Sequence, residues 1–275
     1  MKLSALIIAR NEEKKIENTL KSLNFVDEII VILDRTTDKT ESICKKYTKK
    51  IFKGTWESEG ERRNFGIKNC NYTWILEIDA DEIINQRLSL EISNAIKSKS
   101  FDYFYIRLVN YVGKKAIKYG WMACMAPDGK FCLFKRKNKY WMNGRVHPSY
   151  KVIGRKGNQL ENYIIHNMAN NISELLKRFN RNTSFNAVDL IEQNYNLEKL
   201  FSIRKLLSRF FKCYLARKGF LSGKEGLIIS NKYRKKFSTG EIRLSSSLTK
   251  GSKVRKSEPN YCKYKNTCKF CSLTN

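Results

Sequence analysis

Two aspartates separated by one small residue, Asp79 and Asp81, directly follow the apolar run 74–78. Two carboxylates at this spacing can chelate one hard divalent cation, which keeps part of its water and takes further oxygens from a diphosphate. An isolated Asp-x-Asp triplet more often forms a solvated turn. Because the preceding run has the character of a buried strand, we favour the chelating interpretation here.

A third aspartate, Asp34, closes another apolar run, Glu28–Leu33. At a strand end its carboxylate is available to a ligand. The alternative is a helix or turn cap, which the following Thr36, Thr37 and Asp38 would favour.

Strand and helix patterns alternate between these carboxylates. Apolar runs without a helical period predict strands at Leu3–Ala9, Glu28–Leu33, Lys50–Phe52 and Thr73–Ile78. Amphipathic patterns predict intervening helices at Glu12–Leu23, with Asn11 as N-cap, Thr37–Tyr47 and Glu59–Asn69. The alternation predicts an α/β fold with an open, mostly parallel sheet, whose ligands bind beyond the carboxyl ends of the strands.

Positive charge is concentrated in the second part of the chain. The 275 residues carry a net charge of +28; residues 1–100 hold 18 basic and 16 acidic side chains, and residues 101–275 hold 36 and 10. We therefore expect the second part to meet any polyanionic partner. The hydrophobic content of 41% excludes disorder for most of the chain. No apolar run approaches the roughly 20 residues of a membrane span.

Three segments resemble family 2 glycosyltransferases of the GT-A fold: Leu6–Glu13 is similar to their opening strand and Asn-Glu turn, Arg62–Ile67 to their Arg-Asn-x-Gly helix, and Trp74–Glu82 to their Asp-x-Asp strand. Three further segments resemble the bacterial lipopolysaccharide core beta-glucosyltransferase branch, namely Phe131–Arg136, Gly144–His147 and Gly219–Leu227. The resemblance covers about residues 3–230. It implies a Rossmann-like nucleotide-diphospho-sugar transferase fold, followed by a basic helical C-terminal region.

The resemblance also implies an activity, the transfer of a sugar from a nucleotide-sugar with inversion at the anomeric carbon. The expected donor is a UDP-sugar, with Mg²⁺ or Mn²⁺ on its diphosphate. By matching position, Asp79 and Asp81 would lie at the ribose and the metal, and Arg63 would support the nucleotide or its diphosphate. The residues implied at the base and ribose are Ala9, Arg10, Asn11, Glu12 and Asp34. Arg63 has the alternative of a surface charge on its helix.

An inverting transferase needs a general base for the acceptor hydroxyl. Relatives often carry an acid after the Val-His pair, where this chain has Pro148-Ser149. The candidates are His147, whose alternative is an ordering or core histidine, and Asp128, which a Pro-Asp-Gly turn explains equally well. His166 either closes a strand or lies at the diphosphate.

Residues 202–218 combine a continuous apolar stripe with a polar face that holds only basic charge. This pattern is typical of a helix that lies on an anionic membrane, and the alternative is a helix packed on the catalytic domain. We expect the earlier helix, Ile172–Gln193, to be core. With an N-terminal apolar run too short for a secretory signal and irregularly spaced cysteines, we expect a cytoplasmic protein, peripheral on the inner face of the cytoplasmic membrane.

The predicted organisation is a catalytic domain at 1–170, divided into a nucleotide-binding half (1–100) and an acceptor half (101–170). A basic membrane-associating region (171–244) and a flexible tail (245–275) follow. In that tail Cys262, Cys268 and Cys271 suggest a thiolate zinc site, but three ligands leave tetrahedral coordination incomplete. The expected partners are a nucleotide-sugar, a lipid-linked glycan such as lipopolysaccharide core and an anionic membrane, without nucleic acid. The alternatives are a basic nucleic-acid-binding protein and a nucleotidyltransferase.

Overall fold

The structure is a computed structural model that describes residues 1–120, 129–144, 148–192 and 203–231. Its strands are β1 (Leu3–Ala9), β2 (Glu28–Asp34), β3 (Ile51–Gly54), β4 (Trp74–Asp79), β5 (Glu82–Ile83), β6 (Tyr103–Val112), β7 (Lys115–Ile117), β8 (Lys130–Lys135), β9 (Lys139–Trp141), β10 (Tyr150–Val152) and β11 (Tyr163–Ala169). Its helices are α1 (Ile16–Lys21), α2 (Thr40–Cys44), α3 (Glu59–Asn69), α4 (Gln86–Ala95), α5 (Ile172–Glu192) and α6 (Ile203–Phe211).

The first four strands form the parallel part of one sheet, in the order β3-β2-β1-β4. Their apolar runs are buried because helices cover both faces, so that Ile7, Ile30, Ile32 and Ile75 are fully enclosed. The predicted alternation of strands and helices is confirmed here.

Helix α3 begins and ends at the predicted residues. The side chain of Ser58 caps it by accepting a hydrogen bond from the backbone N–H of Glu61. Gly66 lets the helix approach the sheet closely, because a Cβ at this position would lie 2.5 Å from Leu6 Cδ1.

Helices α1 and α2 are shorter than predicted, and Asn11 is not an N-cap. Asn11 adopts a left-handed conformation with φ 56°, which Asn tolerates better than most residues. Its Oδ1 accepts a hydrogen bond from the backbone N–H of Thr37, 2.8 Å away. The side chain therefore ties the loop after β1 to the loop after β2, and the helix begins only at Ile16.

The second part of the sheet is mixed. Strand β8 pairs antiparallel with both β4 and β6, β11 runs parallel to β6, and β5 and β7 pair antiparallel with β11 and β6. Strands β9 and β10 form a separate ribbon. Together the two parts give an α/β fold whose first four strands are parallel and whose later strands are mixed.

Helix α5 packs on the sheet, as predicted for a core helix. Leu175 is fully buried with Val112, Ile117 and Met168, and Phe179 packs against this cluster. After α6 the chain makes a π-helical turn (Lys212–Ala216) and a 3₁₀ turn (Gly219–Ser222), and residues 223–231 are helical. None of the helices in the described ranges has the length and apolar content needed to span a bilayer.

Candidate functional site

The carboxyl ends of the parallel strands lie together at one edge of the sheet. The register pairs Ile8 with Asp79, Ala9 with Leu33, and Asp34 with Gly54. The acidic strand ends therefore share the edge at which ligands of such sheets bind.

Asp79 stands between two cations. Its Oδ2 lies 3.0 Å from Lys130 Nζ and its Oδ1 lies 3.4 Å from an Arg63 guanidinium nitrogen. Burial favours a raised pKa for Asp79, but the attraction of Lys130 and Arg63 outweighs it and holds that pKa well below its usual range. Lys130 also binds the buried Glu82 carboxylate at 2.6 Å. Asp79 is therefore ionised and fixed in position.

Asp81 is buried at the beginning of the turn into β5. Its Oδ2 accepts a hydrogen bond from Arg178 at 2.8 Å, and its Oδ1 lies 3.3 Å from His166 Nε2. The other ring nitrogen of His166 lies 2.7 Å from Asn110 Oδ1. Burial acts to raise the pKa of Asp81, but His166 and Arg178 outweigh burial and lower it to about 2. Asp81 is therefore a carboxylate oriented by groups from β11 and α5.

Glu12 lies in the turn after β1, close enough to Asp81 for their charges to interact. Burial, followed by repulsion from Asp81, raises the pKa of Glu12 to about 7. The backbone N–H of Glu12 donates to Thr40 Oγ1 at 2.8 Å, which fixes this turn on α2. Within the predicted segment Ala9–Glu12, Ala9 is buried and Arg10 is exposed.

Asp34 is buried and holds the loop after β3. Its Oδ2 accepts a hydrogen bond from Arg62 at 2.5 Å, and its Oδ1 lies 3.3 Å from the backbone N–H of Trp56. Beside it, an open cavity of about 380 Å³ is lined by Thr55, Trp56, Glu57, Ser58, Glu61 and Gly144. Asp34 is 4% exposed and does not line this cavity; its partner Trp56 does.

Arg63 points in a different direction from Arg62 and forms ion pairs. It bonds Glu59 at 2.6 Å, Glu77 and Asp79, and it stacks 4.8 Å from the Trp141 ring. The alternative of a free surface charge is wrong for Arg63, because its side chain is 12% exposed and has three acidic partners.

The side chains at Asp79 and Asp81 fit a divalent cation by the type of ligand atom that they offer. Asp79 and Asp81 supply carboxylate oxygens, the ligand type that suits Mg²⁺ or Mn²⁺, and the remaining ligands would come from a diphosphate and water. Both oxygens of each aspartate already face a partner, Arg63 and Lys130 for Asp79 and His166 and Arg178 for Asp81, so a metal ion would have to displace one of them. Among the residues that the structure describes, no three His, Cys, Asp or Glu side chains form a ready-made metal site.

Sequence reasoning missed Lys130, Arg178, Glu77 and Lys139 as parts of this site. Lys130 opens the strand that pairs with β4, and Arg178 lies three residues after the buried Leu175 on α5. The sequence signals that could have identified them are a basic residue at the start of a strand, for Lys130, and a basic residue near a core position of a helix, for Arg178. The candidate bases His147 and Asp128, and the three cysteines of the tail, lie outside the described residues.

A family model for glycosyl transferase family 2 matches residues 4–159, more than half of the chain. The chain belongs to this family. With the parallel half sheet and its acidic strand ends, membership gives the molecule the GT-A fold expected from the resemblance, and the molecule is a glycosyltransferase.

Several curated relatives carry related descriptions. An uncharacterized glycosyltransferase of Rickettsia typhi is 28% identical over 245 residues, 83% of this chain and 82% of its own length. The lipopolysaccharide core biosynthesis glycosyltransferase LpsC of Rhizobium meliloti is 23% identical over 197 residues, covering 69% of this chain and 72% of LpsC. Among solved structures, residues 1–349 of Staphylococcus aureus TarS in complex with UDP-GlcNAc align over 93% of both chains, with a TM-score of 0.47 and 16% identity.

Proposed function

We propose that this family 2 glycosyltransferase transfers a sugar from a UDP-sugar to a lipid-linked glycan such as lipopolysaccharide core. It acts with inversion, depends on Mg²⁺ or Mn²⁺, and works at the inner face of the cytoplasmic membrane. The observation that carries the proposal is the pair Asp79 and Asp81 at the end of buried β4, each ionised and oriented by cations.

The residues around the pair hold the two carboxylates in different ways. Lys130 and Arg63 fix Asp79, and His166 and Arg178 fix Asp81. Each carboxylate thus has side-chain partners, so that the negative charge of a diphosphate bound beside them would not meet bare carboxylates. A bound divalent cation would bridge the diphosphate and stabilise the charge that develops on the leaving group.

The nucleoside end of the donor belongs, in this proposal, at Asp34 and the turn Ala9–Glu12. Arg62 neutralises Asp34 and Trp56 lies beside it, next to the 380 Å³ cavity. In this proposal the Asp34 carboxylate accepts a hydrogen bond from the base or ribose. His147 and Asp128 remain the candidates for the general base.

The acceptor is proposed from two supports. LpsC is named for lipopolysaccharide core biosynthesis, and it aligns with more than two thirds of this chain. The C-terminal region carries positive charge, which suits the anionic head groups around a lipid-linked acceptor.

The test is release of nucleoside diphosphate from a panel of UDP-, GDP- and TDP-sugars, with Mg²⁺, Mn²⁺ or EDTA. We expect the wild type to release UDP when metal is present, and Asp81→Asn to lose at least about 100-fold in rate. Leu90→Ala, a change at an exposed position of α4, serves as the matched control and should retain the rate. Equal rates for Asp81→Asn and wild type, or turnover only of another nucleotide, would refute the proposed chemistry or donor.

A further inference from the structure

Residues 203–231 expose an unusual amount of apolar surface. Six large apolar side chains in this segment are about half exposed, namely Leu207, Phe211, Leu215, Phe220, Leu221 and Leu227. Single exposed apolar residues are common, but a cluster of this kind marks a surface that binds a protein or a membrane.

Aromatic contacts join two of these side chains, Phe211 and Phe220, through Phe210 and Tyr214. Phe211 contacts Phe210 at 5.7 Å between ring centroids, Phe210 stacks on Tyr214 at 5.4 Å, and Tyr214 meets Phe220 at 6.2 Å. The apolar stripe of α6 therefore continues through the π-helical turn into the 3₁₀ turn. We call residues 207, 210, 211, 214, 215, 220 and 221 the apolar ridge.

Positive charge borders the apolar ridge. Arg204, Lys212, Lys218 and Lys224 are exposed. The sequence 203–231 contains one acidic residue, Glu225, and Lys115 binds its carboxylate at 2.6 Å. Because that carboxylate is paired and mostly covered, residues 203–231 contribute basic side chains beside the ridge and no free acid.

The opposite side of the segment is already attached to the enzyme. Cys213 and Ile229 are buried, the backbone N–H of Gly120 donates to Arg217 O at 2.8 Å, and Lys115 donates to Ser222 O at 2.9 Å. Packing on the catalytic domain therefore occupies one side, as one of the two sequence-based interpretations predicts, and the described residues leave the apolar ridge uncovered. The membrane interpretation stays a prediction.

This attachment connects the ridge to the site. Gly120 follows strand β7, where Ile117 pairs with Asn110 of β6, and Asn110 contacts His166, which lies 3.3 Å from Asp81. A partner that binds the apolar ridge is therefore connected to Asp81 through strands β7 and β6.

Charge distinguishes the possible occupants. A second copy of this chain would bring a further +28 against these basic side chains, which opposes association. Single-stranded nucleic acid could stack on Phe211 and Phe220, but the aliphatic Leu207, Leu215, Leu221 and Leu227 offer nothing to a base. An anionic bilayer surface satisfies both the apolar ridge and the basic side chains beside it.

We propose that the apolar ridge docks on an anionic lipid bilayer, with Phe211, Leu215, Phe220 and Leu221 inserted among the head groups. The proposal deepens the proposed function, on which it rests for the lipid-linked acceptor. The ridge defines which residues of the basic region meet the lipid, and it includes the 3₁₀ turn beyond α6.

The experiment is co-sedimentation of the full chain with vesicles of phosphatidylcholine alone or mixed with phosphatidylglycerol. We expect binding to require phosphatidylglycerol and to fall at least about tenfold in Phe211→Glu/Leu215→Glu at every salt concentration. Leu90→Glu, which adds acid at an exposed leucine of α4, is the matched control and should bind within about twofold of wild type. Lys212→Ser/Lys218→Ser should weaken binding mainly at low salt.

Two further measurements distinguish failure of the docking surface from failure of the proposed function. Asp81→Asn should sediment like wild type while losing turnover. If it sediments like wild type and also keeps the wild-type rate, the proposed chemistry is refuted and the docking surface stands. Equal binding to neutral and anionic vesicles, or unchanged binding of Phe211→Glu/Leu215→Glu, would overturn the docking surface. The docking surface would also be overturned if the protein bound no lipid and Phe211→Glu/Leu215→Glu instead abolished binding of a single-stranded oligonucleotide or dimerisation.

Discussion

Lys139 and Glu77 form a buried ion pair behind the candidate site, with Lys139 Nζ 2.8 Å from Glu77 Oε2 and both side chains 1% exposed. Aromatic rings surround the ammonium at 4.1 to 5.1 Å, from Trp141, Phe131, Phe134 and Tyr150. Burial lowers the pKa of Lys139 to about 8, although Glu77 acts in the opposite direction. Glu77 also binds Arg63, which reaches Asp79, so the pair supports the site from inside.

Lys139→Met should destabilise the protein by about 3 kcal/mol, because it leaves the Glu77 charge with one cation fewer in the interior. Replacing both partners, as in Lys139→Met/Glu77→Leu, should recover more than half of this loss, since no uncompensated carboxylate remains there. Urea denaturation measures both free energies of unfolding. A single variant as stable as wild type would show that the pair contributes nothing.

Glu28 should make stability depend on pH far from the site. Burial favours a raised pKa for Glu28, but hydrogen bonds from Lys50, Ser4 and the Asn71 backbone N–H outweigh burial and lower it. A carboxyl whose folded pKa lies below its unfolded value of 4.5 stabilises above pH 4.5, and this contribution is lost as the pH falls further. Glu28→Gln should therefore flatten the loss of stability below pH 4.5, as chemical denaturation at several pH values would show. A parallel decline in both proteins would contradict the prediction.

Gly60→Ala should destabilise the protein by about 2 kcal/mol, although Ala is ordinarily the better helix residue by about 1 kcal/mol. A Cβ at position 60 would lie 1.9 Å from the backbone oxygen of Met142, which cannot move aside like a flexible side chain. Lys68→Ala, at an exposed position of the same helix, is the control and should stay within about 0.5 kcal/mol of wild type. A stabilised Gly60→Ala protein would mean that the ribbon β9–β10 yields easily.

Asp34→Ala should raise the donor KM by about tenfold while kcat changes less than about threefold, because binding common to ground and transition states is lost. Initial-rate kinetics with the preferred nucleotide-sugar measure both constants. Since Arg62 donates to Asp34, Arg62→Gln is a useful companion and should raise KM less than Asp34→Ala. A fall in kcat at unchanged KM would place Asp34 in bond making instead.

The sequence predicted the elements whose signals are local. Continuous apolar runs predict the buried strands β1, β2 and β4. The Ser58 cap marks the beginning of α3. Both signals lie in neighbouring residues of the sequence. Asn11 shows the limit: its role is a bond to Thr37, 26 residues away, and no local pattern predicts that contact.

The ion pairs of the site were harder to predict for the same reason. Asp79 and Asp81 were identified because they follow a strand, but their partners Lys130 and Arg178 come 51 and 97 residues later. Those contacts depend on β8 pairing antiparallel with β4 and on α5 crossing the sheet edge, and neither follows from alternation of strands and helices.

Calorimetric titration with UDP measures whether Asp79 and Asp81 hold the donor diphosphate through a divalent cation. Wild type should bind UDP at least about tenfold more tightly with Mn²⁺ than with EDTA, and Asp81→Asn should lose this difference. The variant removes a charge from the Arg178 pair, so its Tm should fall by only about 2–4 °C, which confirms that it is folded. UDP affinity that is equal for wild type and Asp81→Asn, with or without Mn²⁺, would show that Asp81 holds no metal ion on the diphosphate.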